Sequence, residues 1–285
     1  MFRVIYGVLL DRLPFREPSR LVQIWEAHPA LPQLQATVPD FRDWQEQAHS
    51  FDEIAAHTLA AMDQIMLLGE GEPEVLHGAN ATDNLFSTLG IQPIVGRAFT
   101  AEEDRGKAHV TVISESLWRR KFGADPKIVG RRIRLAPESF TVVGVVSQQQ
   151  TFPHWADLWI PFSLLEDQLQ TRRKFHPLEV IARLRAGVSA AQAQTEMQSV
   201  TQRLAQTYPD TDGNESAQVI PLEITQITGE VGPSLLLVCA AVGLVLLIAC
   251  ANLAHLRLVR SAENSTEARA MAHARGRRQA ALPDQ

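Results

Sequence analysis

The chain has 285 residues, with 27 Lys and Arg against 32 Asp and Glu and a formal net charge of −5. Six of the arginines and three of the acids lie from Arg257 onward, so the rest of the chain carries −8. An acidic body argues against nucleic acid as a partner, which would need a clustered basic surface.

Met1 to Leu10 (MFRVIYGVLL) is apolar but too short to span a membrane, and no small-residue cleavage site follows it. It resembles the last turns of a membrane helix, with a free amphipathic start as the alternative. Leu21 to Trp25 alternates after the prolines Pro14 and Pro18, which predicts a strand. Val38-Pro39-Asp40-Phe41 opens a helix, with Pro in the first turn and Asp40 and Asp43 near the positive end of the dipole. Phe41, Trp44, Ala48, Phe51 and Ile54 follow at helical spacing and are expected in the core.

Thr58 to Leu68 and Val75 to Thr82 read as the two strands of a hairpin, turned by Gly69 to Pro73. Asp83 is placed to cap a short helix that Gly90 ends. Gly96 and Thr100 mark a turn, and Glu102, Glu103 and Asp104 read as solvated loop acids. Val110 to Ile113 is a strand, after which Ser114 caps a helix burying Leu117, Trp118 and Phe122 before Gly123 stops it. Ile133 to Leu135, Phe140 to Val146 and Asp157 to Pro161 are further β segments. The uncharged TVVGVV suits a strand buried on both faces.

A compact β-α-β unit follows. Leu178, Val180, Ala182 and Leu184 share one strand face. Ser189 and Gln192 form a capping box, and Ala193, Met197, Val200 and Leu204 lie on one helical stripe. Ser216 to Ile224 closes the unit as a strand. Between them DTDGN (Asp210 to Asn214) lacks the sixth-position glycine and twelfth-position glutamate of a calcium loop, and reads as a polar turn.

From Val231 to Leu256 no side chain is charged. At about 1.5 Å per residue, 23 residues of this run reach about 35 Å, enough for a hydrocarbon core of about 30 Å. A transmembrane helix is therefore expected at 234–256, with membrane lipid as its surroundings; a buried core helix is the alternative. Arginines follow the run and acids precede it, which places the tail at 257–285 in the cytoplasm and the bulk outside. Ala240, Ala241 and Gly243 offer a small-residue face for helix–helix packing, and Asn252 is a polar bridge near the inner end; lipid exposure is the competing reading. The two cysteines, Cys239 and Cys250, both lie in this run, so the outer domain holds together without disulfides.

No P-loop, His-Glu-x-x-His, Cys-x-x-Cys or Gly-x-Ser-x-Gly signature occurs, and the nine histidines show no metal-ligand spacing. The expectation is a protein that is not an enzyme and holds no cofactor or metal.

Taken in order, the stretches LPFREPSRLVQIWE, VPDFRDWQEQAHSFDEIAAH, GEGEPEVLHGANATDNLFSTLGIQPIVGRAFTAEED, VTVISESLWRRKFGADPKIVGRRIRL, FTVVGVV, ADLWIPF and the apolar run to Ala262 resemble one family. It is the MacB-like periplasmic core domain of FtsX-type ABC transporter permeases, in particular the duplicated orphan branch. The resemblance implies an α+β extracytoplasmic core at 20–230 plus a C-terminal transmembrane helix. Within the core, a porter-like subdomain would occupy 20–105 and 175–230, with a Sabre-like subdomain inserted at 106–165. Residues 1–12 would be the remnant of a first membrane helix.

The resemblance further implies a permease component of an efflux or export system in a bacterial inner membrane. Its partners would be a separate cytoplasmic ATPase subunit, further permease helices or a second copy of the chain. The family's last two membrane helices have no counterpart here, and ENSTEARAMAHARGRRQAALPDQ keeps the charge but not the pattern of the family's basic helix. The expectation is a truncated copy. A membrane-anchored interaction module and a non-functional remnant are the alternative readings.

Overall fold

The computed structural model describes residues 13–59, 64–165, 167–223, 241–248 and 250. The chain divides into two units, Met1–Ile227 and Thr228–Gln285. Among the described residues of the first unit, the strands form one sheet of 12.

Two central strands organise it. The first strand, β1 (Leu21–His28), precedes the short β2 (Leu31–Leu34), helix α1 (Val38–Gln47) and β3 (Phe51–Thr58). Far along the chain, β11 (Leu178–Leu184) inserts antiparallel between β1 and β3, with Ala182 opposite both Val22 and Ile54. The last strand, β12 (Ser216–Pro221), covers the other side of β1.

On one face, Val22, Ile24, Leu178, Val180, Ala182 and Leu184 pack against α1 and the long helix α5 (Ala190–Thr207). The stripe Ala193, Met197, Val200 and Leu204 is buried there as its spacing predicts. On the opposite face, Leu21, Ala55 and Ile181 pack with Leu85, Phe86 and Leu89 of α2 (Leu85–Leu89) and with Trp159.

The middle of the chain extends the sheet. The hairpin β4 (Gln64–Leu68) and β5 (Glu74–Ala81) joins the strands β7 (Val110–Ser114), β8 (Arg132–Ala136), β9 (Glu138–Val146) and β10 (Leu158–Pro161). In that order β4 pairs with β8, and β5 lies antiparallel to β4 and parallel to β10. The two-residue strand β6 (Val95–Gly96) lies against β9. A third core forms here from Leu67, Leu76, Ile113, Leu117, Phe122 and Val142, with helix α4 (Glu115–Phe122) over it. Ser114 caps that helix through Leu117 N, and Gly123 ends it in the left-handed region, as the sequence predicts.

Several details differ from the sequence reading. The strand read over Thr58 to Leu68 is β4 from Gln64 only, Thr58 being the last residue of β3, and the closing strand read to Ile224 ends at Pro221. Helix α1 stops at Gln47, so Phe51 and Ile54 belong to β3. They still reach the core of α1, because the strand runs back beneath it. The short helix α2 begins one residue later than expected, after Asn84 rather than Asp83. The acidic stretch at 102–104 is not a loop. Thr100 and Glu103 form a complete capping box that starts α3 (Ala101–Arg105), and Arg97 grips both oxygens of Glu103 at 2.7 Å.

In the second unit, residues 241–248 are helical, and Val242 and Leu244 to Ile248 are 41–69% exposed. Among the described residues no helix is long and apolar enough to cross a membrane. Most of the span expected at 234–256 lies outside the described residues, as do 1–12, the tail from 257, Ala240 and Asn252. Ala241 is exposed, and a Cβ added at Gly243 would meet nothing within 4 Å.

Gly144 is the tightest backbone approach of the sheet. A Cβ there would stand 2.1 Å from the Arg97 carbonyl oxygen, where the chain crosses β9. Backbone yields little, so Gly144→Ala is expected to destabilise the fold by about 1–3 kcal/mol, read as a lowered denaturation midpoint at unchanged m-value.

Candidate functional site

The densest group of ionisable side chains lies where four segments of the first unit meet. They are the end of β1, the start of α1, the loop before β11, and the turn between α5 and β12. Each is brought there by a local rule. Thr37 caps α1, its Oγ1 accepting from Asp40 N at 3.1 Å, and Pro39 occupies the first turn. That cap sets Asp40 and Asp43 at the helix N-terminus, where the dipole favours negative charge. Thr37 N donates to Glu26 Oε1 of β1 at 2.8 Å. Tyr208 closes α5, and the short helix α6 (Pro209–Asp212) turns the chain back toward β12.

Arg173 ties these segments together. Its guanidinium donates to Asp40 Oδ1, to Asp43 Oδ2 and, at 3.1 Å, to Asp212 Oδ2. Its plane lies 3.7 Å from the centre of the Tyr208 ring. Only the fork of a guanidinium can meet three carboxylates and stack on an aromatic face at once. The start of α1 is thus held to the end of α5 by one side chain.

Beside this knot His176 lies with Nδ1 2.9 Å from Gln35 O and 2.8 Å from Glu26 Oε2. A carbonyl only accepts, so Nδ1 carries the proton. Glu26, His176 and Glu215 each offer a ligand-type atom within 4.8 Å of one another, and Asp40, Asp212 and Glu215 do the same. An open cleft of about 710 Å³ adjoins the knot, lined by Arg42, Asp43, Gln170, Thr171, Tyr208 and Asp210 among others.

Five carboxylates, Glu26, Asp40, Asp43, Asp212 and Glu215, thus face Arg173 and His176. Burial, with the charges of Glu26 and Asp212, pushes the Asp40 carboxyl up to about 8 against the opposing pull of Thr37 and Arg173. Burial, with Glu26 and Asp212, raises Glu215 to about 7, while His176 and Arg173 oppose the rise. For His176 burial disfavours the cation, but the hydrogen bond and charge of Glu26 outweigh it, and the ring is held above its usual value. The cluster therefore exchanges protons near neutrality. Separately, burial drives His57, fully enclosed in β3, below its usual value despite the pull of Glu179.

The sequence pointed to little of this. Asp40 and Asp43 are recognisable as helix-start acids, but Arg173 is 130 residues or more away and no spacing links them. Asp212 lies in the stretch read as a polar turn, yet it is 3% exposed and bound to Arg173. Gly243 and Ala241, the described members of the expected helix-packing face, lie in the second unit.

Two outcomes follow from this geometry. Arg173→Ala leaves three carboxylates without their cation and is expected to cost about 3–5 kcal/mol in chemical denaturation, with little recovery in Arg173→Lys. A carboxyl whose folded value is raised, like a histidine whose folded value is raised, holds its proton more tightly in the folded state. Its contribution is present at low pH and lost as pH rises through the folded value. The melting temperature should therefore fall between about pH 6.5 and 8. Glu215→Gln should flatten that slope. His57 has the opposite sign and acts below its ordinary value of 6.5, outside this window.

Comparison with known proteins places this architecture. The model of the MacB-like periplasmic core domain matches residues 1–200. The macrolide export ATP-binding/permease protein MacB of Burkholderia thailandensis is 30% identical over 129 residues, covering 44% of this chain and 19% of that protein. Its namesake in Burkholderia pseudomallei is 31% identical over 104 residues, 35% of this chain and 16% of that one. The chain thus spans less than a fifth of the length of the curated relatives it matches.

The periplasmic region of MacB from Actinobacillus actinomycetemcomitans superposes with a TM-score of 0.58 at 14% identity, covering 78% of this chain and 97% of that one. A permease domain from Porphyromonas gingivalis gives 0.55 at 17%, covering 73% and 92%. The extracellular domain of the noncanonic ABC-type transporter YknZ gives 0.51 at 14%, covering 70% and 99%. These likenesses are of fold, and the family match extends over most of the chain. The chain belongs to the MacB-like periplasmic core domain family.

Proposed function

We propose that this chain is a permease component of an ABC-type export system, and that its first unit is the extracytoplasmic domain that meets envelope partners or cargo. The observation that carries this reading is the match of the family model over residues 1–200, which covers nearly all of that unit. The apolar run supports an anchor at 234–256. Six of its large apolar side chains, Val242 and Leu244 to Ile248, are exposed on the described part of the helix. A continuous surface of this kind needs lipid or another helix to cover it. The arginines after the run and the acids before it favour an inner-membrane orientation with the C-terminus in the cytoplasm.

On this reading the chain does no chemistry of its own and works with a separate cytoplasmic ATPase. Further permease helices, or a second copy of the chain, are its partners in the membrane.

Fractionation followed by protease treatment of intact spheroplasts tests the reading. The expected result is a chain that resists carbonate extraction and loses residues 20–230 to external protease, while an epitope placed after 257 is protected. Release by carbonate, or an epitope cut from outside, would overturn the topology.

A further inference from the structure

The strand β10 pairs with both β7 and β5, so the sheet closes on itself at that end and leaves no edge there. Among the described residues, β12 is the one strand of at least six residues that has a single strand neighbour, β1. An edge of this kind presents a row of backbone donors and acceptors that another strand can use.

In an antiparallel pair, alternate residues turn both backbone groups toward the neighbour, and the residues between turn both away. On β12 the residues turned away from β1 are Ala217, Val219 and Pro221, because Ala217 O and Val219 N bond a group outside the sheet. That group is the side-chain amide of Gln194 on α5. Its Nε2 donates to Ala217 O and its Oε1 accepts from Val219 N, each at 2.7 Å. One donor and one acceptor, set on either side of Gln218, are what a residue of an adjoining parallel strand would offer. Gln194 thus takes the place of one strand residue. It lies beside the stripe Ala193, Met197, Val200 and Leu204 that packs α5 into the core.

We propose that Gln194 is a plug that keeps the β12 edge closed to strand addition, and that the strand it excludes is β12 of a second copy of this chain. The outward row is self-complementary. Placed antiparallel about a two-fold axis through Gln218, Ala217 of each copy faces Val219 of the other, and each such pair exchanges both its N–H···O bonds. Half of those bonds join Val219 N of one copy to Ala217 O of the other, the atoms that Gln194 holds. Beyond them Pro221, which has no N–H, would face Glu215, whose N–H is already given to Asp212 O at 3.0 Å. The ladder open to a second copy is therefore short enough for a single amide to block. The proposal rests on the folded first unit alone and is independent of the transport reading.

The test uses the full chain in detergent, with Cys239→Ser and Cys250→Ser, so that Gln218→Cys supplies its one thiol. On the two-fold axis the thiols of two copies face each other in a non-hydrogen-bonded pair, with Cα atoms about 4.5 Å apart, within disulfide range. Oxidation by oxygen with copper phenanthroline is followed by non-reducing electrophoresis. With Gln194 in place little disulfide dimer is expected. Gln194→Ala, with the circular dichroism of the parent, should give at least about tenfold more. Gln194→Met, which keeps the reach of the side chain without its amide, should match Gln194→Ala. Moving the thiol to Gln198→Cys, an exposed position on α5, should give no dimer in the Gln194→Ala chain. Equal dimer with and without the Gln194 amide would overturn the proposal. So would Gln194→Ala and Gln194→Met chains that form none, since something else then closes the edge. Dimer formed as readily through Gln198→Cys would mean general aggregation, with the same consequence.

Discussion

The strand β11 is the constraint on which the rest of the first unit depends. Seven residues, Leu178 to Leu184, lie between β1 and β3, and their alternate side chains fill two different cores. Leu178, Val180, Ala182 and Leu184 meet α1 and α5, while Ile181 meets the α2 side. On that side Arg183 is buried as well. Its Nε donates to Thr88 O at 2.8 Å and its Nη2 to Arg16 O at 2.7 Å, closing the end of α2 with a cation where the dipole is negative. A strand that enters the sheet more than a hundred residues after its neighbours must wait for loop closure. Without disulfides in the unit, apolar burial has to hold that closure.

What the sequence made legible was local. Caps at Thr37, Ser114 and Ser189 and the left-handed glycines at 90 and 123 each act within a few residues, so their signals survive in a single chain. The reading failed where two local codes overlap. Phe51 and Ile54 continue the helical spacing of Phe41 and Trp44, but Ala48 ends the helix and the strand reuses the same spacing by running back under it. At Thr100 the capping box was present in the letters, yet three consecutive acids read as solvated charge.

The charged knot shows the deeper limit. Arg173 finds Asp40, Asp43 and Asp212 only because β11 returns between β1 and β3, bringing the loop before it over the start of α1. Nothing in the spacing of those residues records that return. The family resemblance supplied the architecture but had no bearing on the knot, since it concerns the order of motifs rather than the pairing of charges across them. The excess of carboxylate here is a local version of the negative balance of the chain before Arg257, concentrated where water is partly excluded.

The pairing of β1 with β12 has a mechanical meaning. Val22 lies opposite Pro221, so the chain enters the sheet and leaves it at the same edge, on adjacent antiparallel strands. A pull that drew the two connecting segments apart would load the ladder one rung at a time, from Val22 toward Ala27, instead of shearing all its rungs together. Such an arrangement is weak against separation of the two segments and stiff against their joint movement. Arg20 reinforces the entry, its Nε and Nη2 donating to Leu184 O at 2.9 and 2.7 Å, and so binds the first strand to β11 at the very point where tension would arrive. The unit thus resists a force that moves both ends of this strand pair together and peels apart under one that separates them.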